Sequence, residues 1–269
     1  MSDTVNKSVQ AAELAVFERK SLSLAAAAAA GLPGRFGSFC MGGLRASMAT
    51  ADHYGFLNTV EGVDEQSVEF LSDVLKRFPD PHQPTIVATS PPQSLINRLS
   101  GEGYEPAPVR PIAYLRPSAT IRPDSTITDE WQIHEVSTRK DAKVFLDLLV
   151  AGYAASSEVG ALIRAEHALP MVRGFIASRN DQPLAVAAIS LHATGAVLGG
   201  ASTISAARGN GAQGALLRHR LRLARTLGIS LAAATATSGT PSIRNLAKLG
   251  FTIVERTAWR FNRANHAWK

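Results

Sequence analysis

Two stretches of this chain end in the same way. Ile96-Asn97-Arg98-Leu99-Ser100-Gly101-Glu102-Gly103-Tyr104 and Ile243-Arg244-Asn245-Leu246-Ala247-Lys248-Leu249-Gly250-Phe251 each read as a short helix stopped by glycine, then an aromatic that opens a strand. Upstream of the first, a helical pattern over 64–78 sets Val68, Leu71, Val74 and Leu75 on one side, and an apolar strand comes next at 84–89. Upstream of the second, an Arg-rich helical pattern ends at Gly228 and an apolar strand comes next at 229–237. Helix, strand, helix, strand, twice over, is the signature of an internal duplication. At 269 residues there is room for two ordinary domains. The Pro/Ser/Thr-rich segment 116–129 is the expected linker, which gives domains at 1–118 and 128–269.

The second copy reads in more detail. Val144, Phe145, Leu148, Leu149 and Tyr153 predict a helix over 140–153, and a second is expected over 161–172. Three apolar runs come after it, 174–178, 184–192 and 197–204, separated by turns short enough for an antiparallel meander. Thr240 and Pro241 start the last helix, and one strand is expected from 251 to 261. The expected class is α/β of the α+β mixed-sheet kind, two tandem halves, each a mainly antiparallel sheet flanked by helices.

The copies differ most at one turn. AARGNGAQGALL, Ala206 to Leu217, spells G-x-G-x-x-G between a strand and a long helix, where the first copy has Val60-Glu61-Gly62-Val63-Asp64. A dinucleotide fold places this turn early, with an acid about 20 residues on. Here hairpins precede it and the next acid is Glu255; nor is there the Gly-Lys-Ser/Thr of a Walker loop. A plain helix start stays open beside a cradle for another phosphate ligand.

Charge favours the cradle. The formal net charge is +6, yet no Asp or Glu occurs from Gln182 through Val254, where Arg208, Arg218, Arg220, Arg222, Arg225, Arg244 and Lys248 all fall. The region is poor in the aromatics on which nucleic acids stack, so a nucleic-acid partner is not expected. The bland run 22–32 is too short to cross a bilayer, and nothing at the N-terminus resembles a cleavable leader, so no membrane role is expected. A single cysteine, Cys40, allows no internal disulfide and no Cys-rich metal site; it is expected to be a small core residue in a cytoplasmic protein.

Ser202 to Leu217 together with Pro241 to Phe251 resembles the GNAT superfamily of acyl-CoA-dependent N-acyltransferases. The family's phosphate loop has Arg or Gln, two variable residues, Gly, one variable residue, then Gly or Ala. Arg208 and Gly211 fit, but the last small position holds Gln213, with Gly214 one place later. The likeness covers residues 130–262 by element order, and the weaker first copy implies the tandem arrangement in which only the second half binds cofactor. It implies that amides of Arg208, Gly209, Asn210, Gly211, Ala212, Gln213 and Gly214 hold the pyrophosphate of acetyl-CoA or CoA. It further implies that the main chain of Ser202, Thr203 and Ile204 pairs with the pantetheine arm, and that Gly199-Gly200 forms the bulge that opens the cleft. Asn245 would reach the pantetheine or thioester end, and Arg244 or Lys248 would either meet the 3′-phosphate or remain solvated.

The implied activity is direct acetyl transfer to a primary amine of a small molecule. The alternative is a non-catalytic acyl-CoA sensor of the same fold, motivated by Leu246, which stands where many family members place the tyrosine that protonates the thiolate. Either the sulfur leaves unassisted or another donor, such as Ser202 or Tyr153, takes that place. His192, Glu158, Glu166 and His167 are the candidate bases, with His192, Glu158 and Ser202 named as the catalytic set. Arg218, His219, Arg220, Arg222 and Arg225 are expected to form a solvated helix face. Trp131, Trp259 and Trp268 are expected to pack. No metal site is expected, and the sequence leaves oligomeric state open.

Overall fold

The computed structural model describes residues 3–117 and 131–262. Most of the expected linker 116–129, and Trp268, lie outside the described residues. The chain opens on a helix that the sequence patterning does not announce, α1 (Asp3–Ala29). Its 27 residues contain no Gly or Pro and eight alanines, which favours helix throughout. It buries itself on both sides, which is why no single apolar stripe marks it. Val9, Ala12, Ala15 and Val16 pack on one sheet, while Leu24 and Ala27 pack against Ala49, Tyr54 and Leu162. Among the described residues no helix is long and apolar enough to cross a membrane.

The first half continues with β1 (Phe36–Met41), β2 (Leu44–Ala49), β3 (Thr59–Glu61), α2 (Leu71–Leu75), β4 (Thr85–Ala88), α3 (Gln93–Gly101), β5 (Tyr104–Ala107) and β6 (Ile112–Leu115). The helix expected over 64–78 is only a 3-10 turn at Val68–Phe70 and the five residues of α2. Cys40 is exposed, not a core residue, because β1 is the sheet's outer strand.

The second half comprises β7 (Gln132–Glu135), α4 (Arg139–Gly152), α5 (Ser157–His167), β8 (Val172–Arg179), β9 (Gln182–His192), β10 (Gly195–Thr203), α6 (Ala212–Thr226), β11 (Ala232–Thr235), α7 (Pro241–Lys248), β12 (Thr252–Val254) and β13 (Thr257–Phe261). A capping box, Thr138 with Asp141, starts α4. Ser156 caps α5, which begins ahead of the expected residue 161. The meander is as expected, with β8–β9 and β9–β10 pairing antiparallel, and a strand that the sequence reading does not include, β7, pairs antiparallel with β8.

The strand expected at 251–261 is two strands, and they part company. The sheets run β1-β2-β3-β4-β13-β5 and β12-β6-β11-β10-β9-β8-β7. Thus β13, the last strand among the described residues, sits inside the first half's sheet between β4 and β5, while β6 sits inside the second half's sheet between β11 and β12. Arg256, at the crossing, bonds through its Nε to the Arg110 carbonyl (3.0 Å), and the Arg110 N–H bonds back (2.9 Å). Each half lends the other an interior strand.

Candidate functional site

The two sheets hold a matched pair of parallel strands, and the contrast between them locates the site. In the first half β3 and β4 stay paired at three positions, Thr59 with Thr85 through Glu61 with Val87. In the second half β10 and β11 pair only at Ala196–Ala232 and Val197–Ala233. Past Val197 they diverge, so Leu198 to Thr203 carry no partner on the β11 side. A wedge results, with its apex at Val197.

A bulge bends β10 away. Gly199 faces Ala188 and Ser202 faces Val186, so two residues of β10 lie unmatched against one of β9. Gly200 takes φ +54°, a conformation that only glycine adopts cheaply. Its missing Cβ also leaves room for the imidazole of His167, which approaches from α5.

Two side chains of α6 brace the bulge from the opposite face. Arg220 Nη1 donates to the Ala188 carbonyl (2.7 Å) and toward the Gly199 carbonyl (3.4 Å). Gln213 Nε2 donates to the Ser202 carbonyl (2.8 Å) and Thr203 Oγ1 (2.9 Å). Arg220 is therefore not part of a solvated face: it is 1% exposed, and burial lowers its pKa to about 10. Only Arg222 and Arg225 of that set are exposed; Arg218 and His219 are half-buried. The signal is in the spacing, since position 220 falls in the stripe formed by Leu216, Leu217, Leu221 and Ala224. Gln213, the departure from the small residue of the loop pattern, has the same bracing work.

At the mouth of the wedge the chain turns through Arg208 to Gly211. Gly209 and Gly211 have φ +84° and +82°, and a Cβ on either would meet nothing within 4 Å. Gly211 is the N-cap of α6 and offers no side-chain acceptor, so the first-turn amides face outward uncapped, with the helix dipole behind them. Trp131 does more than pack: it fixes the loop by donating its indole N–H to the Asn210 carbonyl (3.0 Å).

Not every expected residue is gathered here. The Ser202 carbonyl is held by Gln213, the Thr203 carbonyl accepts from Arg208 Nε (3.3 Å), and the Ile204 N–H bonds to Leu184 (3.0 Å). The edge of β10 without a β11 partner runs from Leu198 to Thr203, and its Ala201 N–H is taken by the Tyr153 hydroxyl (3.3 Å). Ser202 Oγ donates to the Leu148 carbonyl of α4 (3.0 Å) and packs on Gly152, turned away from the wedge. Asn245 is half-buried on α7, and Arg244 reaches back to the Gly239 carbonyl (2.7 Å). Leu246 is 4% exposed in the core beneath. Glu158 sits in the first turn of α5, where hydrogen bonds from its own N–H, Ser156 and Ser157 lower its pKa, a poor setting for a base.

His192 is at the wrong end of the sheet. It faces Gly195 across the β9–β10 hairpin, about 26 Å along β10 from Thr203. Its Nε2 lies 2.7 Å from Ser190 Oγ, and its side chain is 2% exposed. Burial, helped by the charge of Arg19, lowers its pKa to about 4. The folded chain thus holds it neutral, while the unfolded chain protonates it below about 6.5. Stability falls as pH drops from 6.5 toward 4, by on the order of 2 kcal/mol at pH 5 from this group. A His192→Gln variant is expected to lose that share of the pH dependence in denaturant titrations at pH 7 and pH 5; an unaltered difference counts against the assignment.

Paired strands that part over an uncapped helix, in one of two sheets that exchange their last strands, describe a known architecture. A GCN5-related N-acetyltransferase from Kribbella flavida superposes with TM-score 0.57 at 15% identity, over 93% of this chain and 94% of that one. A tandem GNAT protein from the clavulanic acid biosynthesis pathway gives 0.54 at 14%, over 88% and 86%. The chain has the tandem GNAT fold. A conserved protein of unknown function from Staphylococcus epidermidis shares it, with TM-score 0.57 at 11% identity over 86% and 95%. No protein-family model matches the sequence, and no curated protein does. In this tandem GNAT fold the first half's equivalent of the wedge is shut and filled with charge. Glu61, at the end of β3, accepts from Lys20 of α1 (2.6 Å) and from Arg256 (2.8 Å).

Proposed function

We propose that this chain is an acyl-CoA-dependent N-acyltransferase, with acetyl-CoA as donor and a primary amine of a small molecule as acceptor, working through its second half. The observation that carries this reading is the wedge between β10 and β11, whose mouth is an uncapped helix N-terminus in a region without a single acid. The residues present suit a nucleotide pyrophosphate: bare amides from Gly209 to Gly214, open space over both positive-φ glycines, and Arg208 at the head. The free edge of β10 offers main-chain groups to an extended pantetheine arm, as a sheet edge does to an added strand. Asn245 on α7 borders that arm. Holding donor and amine together in the wedge supplies much of the rate, since the reaction is a direct displacement at the thioester carbon.

Calorimetry with CoA and acetyl-CoA, then thiol release across a panel of amines, tests this. Micromolar binding and amine-dependent thiol release are expected. No binding would remove the reading, and binding without thiol release for any amine would return the chain to the acyl-CoA sensors.

A further inference from the structure

Four strands form the ends of the two sheets, and three of them are guarded against further pairing. β5 carries Glu105 and Pro106, β7 ends on Glu135, and β12 is only three residues long. β1 is the exception. Its six residues, Phe36-Gly37-Ser38-Phe39-Cys40-Met41, contain no charge and no proline, and they pair with β2 without a bulge. Phe36, Phe39 and Met41 are half-buried, and Phe70, beside the β1–β2 turn, is 36% exposed.

The turn fixes which groups of β1 are free. Gly42 and Gly43, at φ +54° and +87°, make a two-residue hairpin in which Met41 and Leu44 are the hydrogen-bonded pair. Odd-numbered residues therefore bond inward to β2, and at the far end the Thr50 N–H accordingly reaches the Arg35 carbonyl (3.0 Å). The N–H and C=O groups of Phe36, Ser38 and Cys40 point outward, with no hydrogen-bond partner among the described residues.

We propose that β1 pairs with β1 of a second copy of this chain, antiparallel about a two-fold axis at Ser38, so that the two first-half sheets run on as one. In that register Ser38 faces its own counterpart, Phe36 faces Cys40 of the second copy, and every outward main-chain group of β1 is bonded. Gly37 comes opposite Phe39 of the second copy. A Cβ on Gly37 would meet nothing within 4 Å, so there is open space for that ring to cover. Arg35, exposed, comes opposite Met41 of the second copy, beside the turn where the Phe70 ring fills the place of a Gly42 side chain and exposed Glu69 stands next to it. Strand alternation puts Arg35 on the face of Phe39 and Met41, which pack with Val68 on the α2 side, the side of Glu69. Symmetry makes the Arg35–Glu69 match twice, once at each end. Arg77, over the Phe39 ring (4.9 Å), already has Asp73 of α2 as a neighbouring acid. A foreign strand would meet the same bare edge, but Gly37 against Phe39 and Arg35 against Glu69 are matches the chain makes with itself.

Sedimentation of the full-length chain at micromolar concentration is expected to give a dimer; a monomer overturns the proposal. Ser38→Pro removes an outward N–H that β2 does not use, and is expected to weaken the dimer on the order of thirtyfold, the worth of the one bond lost from each copy. Arg35→Glu leaves the strand itself untouched and is expected to weaken the dimer about tenfold, with Glu69→Arg in the same chain restoring it. The register has its own readout. Ser38→Cys in a Cys40→Ser background sets two thiols on the axis, with Cα atoms about 5.5 Å apart, so mild oxidation is expected to link the copies. Gly37→Cys in that background, off the axis, is expected not to link them. A dimer that Ser38→Pro and Arg35→Glu both leave unaltered overturns the proposal, and so does one that links as readily through Gly37→Cys as through Ser38→Cys. None of these measurements involves CoA, so the acyltransferase reading stands or falls apart from them.

Discussion

A Gly211→Glu variant is expected to bind CoA at least about a hundredfold more weakly than the parent chain, with its fold intact. Gly211 sits at φ +82° where α6 begins, and nothing in the chain itself lies within 4 Å of the place a side chain would fill. A glutamate there meets only what the loop binds. Left-handed backbone costs a non-glycine residue about 1–2 kcal/mol, which α6 can absorb because Ala212, Leu216 and Leu217 anchor it in the main core. Against a pyrophosphate, the new carboxylate adds like-charge repulsion of several kcal/mol, the source of the hundredfold loss. Gly211→Ala carries the same strain without the charge and should lose only a few fold. Calorimetry on both variants separates the terms: equal losses would make strain the cause, and undiminished binding of Gly211→Glu would dismiss the phosphate cradle.

The second large effect concerns the shut wedge of the first half. Glu61 is 3% exposed, and its carboxylate answers Lys20 and Arg256. Burial alone would raise its pKa, but those two cations hold it well below the ordinary value. Glu61→Ala leaves buried cations facing each other, with Glu13 as the nearest remaining acid at 3.6 Å from Arg256. Removing one partner of a buried pair costs about 3–5 kcal/mol. Arg256 joins β12 of one sheet to β13 of the other, so the loss should lower the midpoint of one unfolding transition seen by both halves. Glu61→Gln keeps the shape and some hydrogen bonds and should lose less. Two separated transitions in Glu61→Ala would show that the ion cluster does not couple the sheets.

The second half is legible in the sequence because its elements carry local marks. Apolar runs with short turns spell out the meander, Gly228 and Gly250 end helices, and Thr240-Pro241 begins one. The glycine loop is legible for the same reason: φ, Cβ clearance and the lack of acids are all local properties. The features that escape depend on partners far along the chain. The α1 helix is apolar toward two bodies at once and so shows no face. Arg220 is disguised by its residue type, though its place in the stripe of Leu216, Leu217 and Ala224 already puts it inside. His192 stands at a strand end, and only pairing shows which end of the wedge that is. The split of 251–261 into two strands turns on Glu255-Arg256, where no glycine or proline marks the break.

The exchange of strands leaves β13 with an unequal share of the molecule's integrity. β13 is interior to the first half's sheet, where Trp259 is 5% exposed beside Ile86 and Tyr104. A proteolytic nick at 255–256 that released the residues beyond it would leave every strand of the second sheet paired. The first sheet would come apart inside, four strands on one side and β5 alone on the other. Loss of β13 would thus be felt in the first half, while the wedge, well upstream of the cut, kept its strands.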